Sequence, residues 1–507
     1  MNARIINTGL LSLGLVFVCR TLHAAAITAA SCGFSDVQAA TEVASSGDTV
    51  IIPEGECSWS NGITLNNKPL KIKGSGTENT IITYTENGTS WGEAAFWLNA
   101  CADDFEISDL TFKRNSQSGK MTYGFIFLNG ACRNWRIHHN RFWTDYASQN
   151  DGVRMIWIQA GSSNSQPYGL IDHNNFIGQS NSGTHQGVLV KGALDLSWLN
   201  PIEWGSGNSV YIEDNTFNFD DSADGLVDCS DGGRYVFRNN TAQNAPAGNH
   251  GYDSPSRSCM KMEIYGNDFI CNQAKCLWAV QLRGGTALIH NNTFSGSWER
   301  KIAVTNYRSG SGYCEAYNNN YCPPKYECDG GSSNDGNSAD ENGTHSLGQD
   351  SPVLTDSTKT WISGQWQHYY VYNINDGSKC KVLVSSQSAI TCTLSGGAEN
   401  DWDVGDQYKI TSGYPCRDQI GRGQNQLSEP VYVWDNGANT SVMVYDSYCG
   451  NPPEGWCFTS SHIQANRDYI VGVPKPGYVP YVYPHPLQEE LVSDRISPAN
   501  PNGLMVQ

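Results

Sequence analysis

The segments IHHNRF (137–142), IDHNNF (171–176), IEDNTF (212–217), VFRNNT (236–241), IYGNDF (264–269), IHNNTF (289–294) and AYNNNY (316–321) share one pattern. It reads as an aliphatic residue, two variable positions, Asn, one variable position and usually Phe. The Asn positions are 140, 174, 215, 239, 267, 292 and 319, and most steps fall between 24 and 34 residues. A period of that size marks a stack of supersecondary units that bury their faces only against neighbours. The chain is rich in β-branched and aromatic residues and shows no sustained 3.6-residue apolar period, so the unit is strands and turns. The expected fold is all-β, a right-handed parallel β-helix.

Spacing extends the register in both directions. ISDLTF begins at Ile107, 30 residues before the Ile137 unit, and VWDN and IQAN end at Asn436 and Asn466, again 30 apart. The stretch between is therefore an insertion into a solenoid that resumes. Equivalent positions in stacked coils lie about 4.8 Å apart, so the Asn row is expected to pass amide hydrogen bonds from coil to coil as a structural device.

Of 17 Cys, Cys19 lies in an apolar leader, which leaves an even number for an oxidising compartment. Cys101 and Cys132 are 31 apart, and Cys229 and Cys259 are 30 apart, one coil each. A separation of one strand spacing lies within the roughly 4.4 to 6.8 Å that a disulfide spans between Cα atoms, so both pairs are expected inter-coil staples. Cys32 with Cys57, Cys271 with Cys276, Cys380 with Cys392 and Cys449 with Cys457 are assigned as local bridges. Cys314, Cys322, Cys328 and Cys416 are left to pair among themselves.

The chain divides as follows. Residues 1–25 have a basic start, an apolar run and a small-residue end, which is a secretory signal and too short for a stable membrane span. Residues 26–60 read as an N-terminal cap, 61–328 as the helix, and 329–346 as a polar Gly/Ser-rich linker. Residues 347–411 alternate as a small inserted β domain. Residues 412–487 continue the helix into a Pro- and Tyr-rich strap, and 488–507 form a tail. NDWDVGD (400–406) has the composition of a calcium loop, but an acidic β-turn is the simpler reading. The net charge of −18 provides no basic footprint, which makes nucleic acid and anionic membranes poor partners. An acidic polysaccharide needs local bases or a bridging cation.

The entry segment SDVQAATEVASSGDTVIIPEG (35–55), the repeated I-x-x-N-x-F turns, RGGTALIHNNTF (283–294) and the YPHPL ending (483–487) resemble secreted right-handed parallel β-helix proteins of the pectate-lyase-like superfamily. The resemblance covers roughly residues 30–330 and 415–485. It implies the fold and leaves the chemistry open, because lyases, hydrolases, binding proteins and adhesins share the scaffold. The polygalacturonase-type motif set is absent: Asp220-Asp221 and His250-Gly251 occur without their flanking motifs.

Each repeat unit is preceded by another strand, and together these strands build a long parallel face. They are GFIFLNG (124–130), RMIWIQAG (154–161), QGVLVKGA (186–193), GLVDCSDG (225–232), AVQLRGG (279–285) and AVTNYR (303–308). Lys191, Asp228, Asp231, Arg283 and Arg308 project from their ends, and NHGYDSPSR adds His250, Asp253 and Arg257. A uronate lyase must neutralise the C6 carboxylate, remove the C5 proton and release the 4-linked oxygen, which requires a cation and a nearby base. Asp228, Asp231 and Asp253 are the candidate calcium ligands. Lys191, His250 and Arg283 are the candidate base or carboxylate clamp, and Arg257 and Arg308 further substrate contacts. Among Trp143, Trp157, Trp198 and Trp204, Trp157 and Trp198 are assigned to sugar stacking. Two other functions compete with β-elimination. One is a non-catalytic carbohydrate-binding or adhesive solenoid; the other is glycoside hydrolysis by Asp220, Asp221 and Asp224.

Overall fold

The computed structural model describes residues 24–489 apart from 86–93, 115–122, 145–151, 162–165, 180–183, 221–224, 250–256, 306–340, 362, 365, 367–369, 412–417, 438–440, 446–462 and 464. Of the positions singled out above, the leader through His23, Asp221, Asp224, His250, Asp253, Arg308, Asn319, Cys314, Cys322, Cys328, Cys416, Cys449 and Cys457 lie outside the described residues.

Successive strands pair in parallel with the strand one coil away, and the pairings sort into three ladders that form the sides of a parallel β-helix. The first face runs from Ala26–Thr28 to Tyr469–Val471. Its inward column is Val50, Ile72, Ile107, Ile137, Ile171, Ile212, Phe237, Ile264, Ile289 and Val433, in register and closed to solvent. The second face follows the Asn turn, and the motif's final Phe supplies its inward column. Phe112, Phe142, Phe176 and Phe217 are in register, with rings stacked at 5.3, 5.0 and 4.5 Å between centroids. Offset aromatic stacks add to the burial of their large surfaces, which explains Phe at that position.

The third face contains Ile63–Asn66, Phe96–Asn99, Ile126–Asn129, Gly152–Gln159, Thr184–Lys191 and Gly225–Ser230. Because side chains alternate along a strand, Ile126, Ile156, Val188 and Val227 point to the core while their neighbours point out.

The Asn row forms the corner between the first and second faces. The Asn140 amide donates to the carbonyls of Ile107 and His138, at 2.9 Å each, and to Asn174 Oδ1 at 3.1 Å, which also accepts from the Asn140 backbone N–H at 2.9 Å. The same set recurs through Asn174, Asn215, Asn240, Asn267 and Asn292 and ends at Asn436. The residue before each Asn is left-handed: His139, His173, Asp214, Asn239, Gly266, Asn291 and Asp435 have φ between 49° and 69°, and Asp109, which precedes Leu110 at the same place one coil earlier, has φ 61°. The link from Asn292 to Asn436 crosses 144 residues, so the solenoid does resume after the insertion.

Two register readings change. Ile212 pairs with Phe237, not Val236, so the fourth unit is FRNNTA and its row member is Asn240, while Asn239 occupies the left-handed turn. Val433 pairs with Val471, which places Asn466 outside the row; its N–H instead closes a turn on the Tyr469 carbonyl at 2.7 Å.

The disulfides Cys32–Cys57, Cys101–Cys132, Cys229–Cys259, Cys271–Cys276 and Cys380–Cys392 are formed, and the two inter-coil staples have Cα separations of 5.3 and 5.1 Å. Helix Phe34–Val43 buries Val37 and Ala40 at the N-terminal end of the stack. The inserted unit is antiparallel, with sheets formed by Glu341–Thr344, Gln407–Thr411, Tyr370–Asn373 and Lys379–Lys381, and by Val353–Thr355, Ala389–Thr391 and Val384–Ser385. It has its own core around Trp402, Tyr408 and Ile410. No described helix is long and apolar enough to cross a membrane.

The C-terminal strap covers the outside of the first face. Tyr478 Oη donates to Glu263 at 2.6 Å, Arg238 donates to the carbonyls of Tyr481 and Val482, and the His485 N–H donates to Glu213 at 2.8 Å. Under it lie the buried ion pairs Arg238–Glu213 and Lys261–Glu263. His290 is stacked between Tyr265 and Trp434, with centroids at 4.7 and 4.2 Å.

Replacing Asn240 by Ala removes shared amide bonds and leaves buried carbonyls unpaired, so stability should fall by about 3 kcal/mol. Asn239→Ala costs only the left-handed penalty of about 1 kcal/mol. Denaturant midpoints of the two variants check the corrected register. Burial lowers His290 and His485 from 6.5 to about 4, with Arg238 adding to the effect on His485. Both are neutral in the fold and protonate first in the unfolded chain. The stability they contribute is complete above pH 6.5 and is lost as pH falls through that value toward 4. A pH series of thermal midpoints should drop across that window, and His290→Gln should flatten the drop.

Candidate functional site

The strap covers the first face, whereas the charged residues Lys191, Asp228 and Asp231 lie on the outside of the third face. Its strands present two outward columns. One is polar: Asn66, Asn99, Asn129 and Gln159 are linked side chain to side chain at 3.0, 3.2 and 3.1 Å and lead in register to Lys191 and Ser230. The other is apolar, Trp97, Phe127, Trp157 and Leu189, and it ends in register at Asp228. Tyr123 packs on the rings of Phe127 and Trp157 at 4.6 and 4.8 Å.

Where the two columns reach the Gly225–Ser230 strand, charged groups gather. Lys191 Nζ is 2.9 Å from Asp231 Oδ2 and lies over the Trp157 ring at 5.7 Å. The Arg154 guanidinium lies over the same ring at 5.0 Å. Burial pushes the Arg154 pKa down while the Asp228 charge opposes it. Asp228 accepts from Gln186 Nε2 and from the Cys229 N–H, each at 2.8 Å. Asp231 is left-handed, with φ 56°, and its Oδ1 accepts from the Arg257 N–H at 3.1 Å. The Cys229–Cys259 disulfide ties this coil to the next directly beneath these acids. A cleft of about 330 Å³ opens between Gln159, Lys191, Leu194, Leu196 and Asp231.

Several polar atoms of this surface are buried without a hydrogen-bond partner among the described residues: Trp97 Nε1, Arg154 Nε, Trp157 Nε1 and Gln186 Oε1.

The sequence candidates do not all meet. Lys191, Asp228, Asp231 and Trp157 share the outer side of the third face. Arg283 is held further along the stack, its N–H and Nε donating to Asn249 at 2.7 and 2.6 Å. Arg257 is buried as a strut, bidentate to Asp418 at 2.6 and 2.5 Å, bonded to Asp195 and stacked 5.0 Å over Trp198. Trp198 packs with Ile202 and Met260. Trp143 lies on the second face beneath Lys113 and Arg141, and Trp204 donates to Glu429 at 3.0 Å. Arg154, Gln159 and Gln186 escaped the sequence reading, although their strand spacing to Lys191 and Trp157 places them in the same columns.

The oxygens of Asp228 and Asp231 already accept Gln186, Cys229, Lys191 and Arg257 donors. A calcium ion, which takes six to eight oxygens, would have to displace them, so this arrangement does not fit calcium. Among the described residues, the group of acids close enough to share an ion is Asp350, Asp401 and Asp403 in the inserted unit. Burial and the neighbouring acids raise the Asp401 pKa there.

No protein-family model matches the chain, and no curated protein matches it. Solved structures similar in part include an alginate lyase from Paenibacillus sp. str. FPU-7, at 15% identity over 54% of this chain and 97% of that one, with a TM-score of 0.26. Another is the Azotobacter vinelandii mannuronan C-5 epimerase AlgE4 A-module, at 16% identity over 54% of this chain and 86% of that one, with a TM-score of 0.23. Likenesses that distant carry no argument about activity, which rests on the residues above.

Gly192 lies where a Cβ would meet the Gly232 carbonyl carbon at 2.5 Å and the Asp231 oxygen at 2.6 Å, both backbone. Gly192→Ala should therefore force apart the coils that carry Lys191 and Asp231, at a cost of about 1–3 kcal/mol. A lowered unfolding midpoint checks it.

Proposed function

We propose that this is a secreted protein that acts on an acidic, uronate-containing polysaccharide at the third face and cleaves it by β-elimination. The observation that carries the reading is the cationic end of the aromatic column, where Lys191, paired with Asp231, and Arg154 both lie over the Trp157 ring. A uronate laid along this face would set its carboxylate toward those two cations, which the buried indole beneath them holds in place. The leader and the disulfides support an extracytoplasmic location.

In this reading Lys191, oriented by Asp231, and Arg154 meet the C6 carboxylate and offset the charge that grows as the C5 proton leaves. The base for that proton is assigned from the sequence alone to His250, which lies outside the described residues. The C5–H electron pair becomes the C4–C5 double bond, the C4–O4 bond breaks, and the leaving oxygen takes a proton from solvent water. Arg283 and Arg308 are assigned to adjoining sugar units. No step is routed through calcium.

The half-buried amide column from Asn66 to Gln159 favours a second reading, in which the face only holds a glycan. Incubation with a panel of uronate and neutral polysaccharides separates them. Lyase action gives ultraviolet-absorbing unsaturated ends, and Lys191→Ala should lower that rate by about 10²–10³. Saturable binding with no unsaturated product supports the holding role instead, and the absence of both removes the polysaccharide assignment.

A further inference from the structure

The larger sheet of the inserted unit runs in the order Glu341–Thr344, Gln407–Thr411, Tyr370–Asn373 and Lys379–Lys381. Side chains alternate between its two sides. Tyr408, Ile410, Val371 and Cys380 belong to the unit's core, so Lys409, Tyr370, Tyr372, Lys379 and Lys381 point outward. Antiparallel pairing sets these in rows. Lys409, Tyr372 and Lys379 lie directly opposite one another across three strands, and Tyr370 lies opposite Lys381 in the next row. The Lys409 and Lys379 ammonium groups sit 4.8 and 6.0 Å from the Tyr372 ring centroid.

The described outward positions of this sheet carry no acid. Glu341, on the neighbouring strand, is engaged on the inner side, where its oxygens accept from Lys359 at 2.9 Å and from the Trp361 indole at 3.2 Å. Asp376, in the turn between the Tyr372 and Lys379 strands, accepts the Ser378 and Asn400 N–H groups at 2.6 and 2.8 Å. The whole chain has 50 acidic residues against 32 Lys and Arg. A face with three lysines therefore carries the sign opposite to that of the chain, and the repulsion of the rest directs a polyanion toward such a patch.

We propose that the outward face of this sheet anchors an anionic polysaccharide, whose carboxylate or sulfate groups meet Lys409, Lys379 and Lys381. The Tyr372 ring steadies two of the ammonium groups by cation–π attraction while they keep their charge. Lys409 and Lys379 are two strand spacings apart, roughly 10 Å along the sheet, and Lys381 lies in the next row. Cations spread in this way suit a chain of repeated charges better than one small anion. An exposed ion pair contributes little by itself, but a polymer that meets several at once holds through their sum. Asn342 and Gln407, exposed on the same face, offer amides to sugar hydroxyls. The site is separate from the third face and needs no cleavage there.

Reductive methylation of the full-length protein, read lysine by lysine by mass spectrometry, tests it. Polygalacturonate and dextran sulfate are the carboxylate and sulfate probes, and dextran is the neutral one. At ten times its Kd an anionic polymer should slow labelling of Lys379 and Lys409 about tenfold, since about one protein in eleven is then unliganded. Dextran should leave both rates unchanged, as should the anionic polymer in 1 M salt, where charges are screened within about 3 Å. In the Lys379→Gln/Lys409→Gln protein, Lys381 should lose its protection. Lys191 reports the third face in the same experiment, so the two sites are read apart. Protection of Lys191 without Lys379 and Lys409 overturns this inference and leaves the third face standing. Equal protection of Lys71 and Lys275, or protection by dextran, overturns it as well. Protection that grows with protein concentration without polymer assigns the sheet to a second copy of the chain and also overturns it.

Discussion

A single row of buried amides, from Asn140 to Asn436, sets the geometry on which the rest of the molecule depends. Each amide satisfies two carbonyls and the next Asn, and its oxygen takes a backbone N–H from the neighbouring coil. A turn left without such partners would bury unpaired backbone groups at a cost of about 1–3 kcal/mol each. The row therefore fixes the coil-to-coil register, and the register in turn aligns every column on the three faces. Even the long insertion leaves it intact, because Asn292 and Asn436 bond as though adjacent in sequence.

That constraint allows distant residues to act together. Lys191 meets Asp231 because their strands are neighbours in the stack, and Trp157 lies beneath both Lys191 and Arg154 for the same reason. The strap closes the first face with Tyr478, Tyr481 and His485, whereas the third face keeps an amide column, an aromatic column and a charged end. The left-handed residue of each corner turn is free to vary, since only its backbone is constrained, and in two coils it is histidine.

The periodicity was legible in the sequence because Asn and Phe each have a structural duty once per coil. The slip at Val236 arose where Val236 and Phe237 are both apolar and Asn239 and Asn240 are both Asn, so two frames satisfy the motif and only strand pairing chooses between them. Asn466 misled for a related reason, since 30-residue spacing alone does not show which partner a strand takes. Lys191, Asp228 and Asp231 could be found because strand ends of one face are countable. The fate of Arg257 could not: its partner Asp418 is 161 residues away, beyond the insertion. The contact of Arg154 with the Trp157 ring was also invisible, because strand spacing does not show where a long side chain lies.

A structure of the protein with a bound uronate oligosaccharide tests the account most directly. The account predicts a sugar ring against the Trp157 side of the third face, with its carboxylate within hydrogen-bond distance of Lys191 Nζ. An oligosaccharide seated on another face, or one whose carboxylate turns away from Lys191, would contradict it.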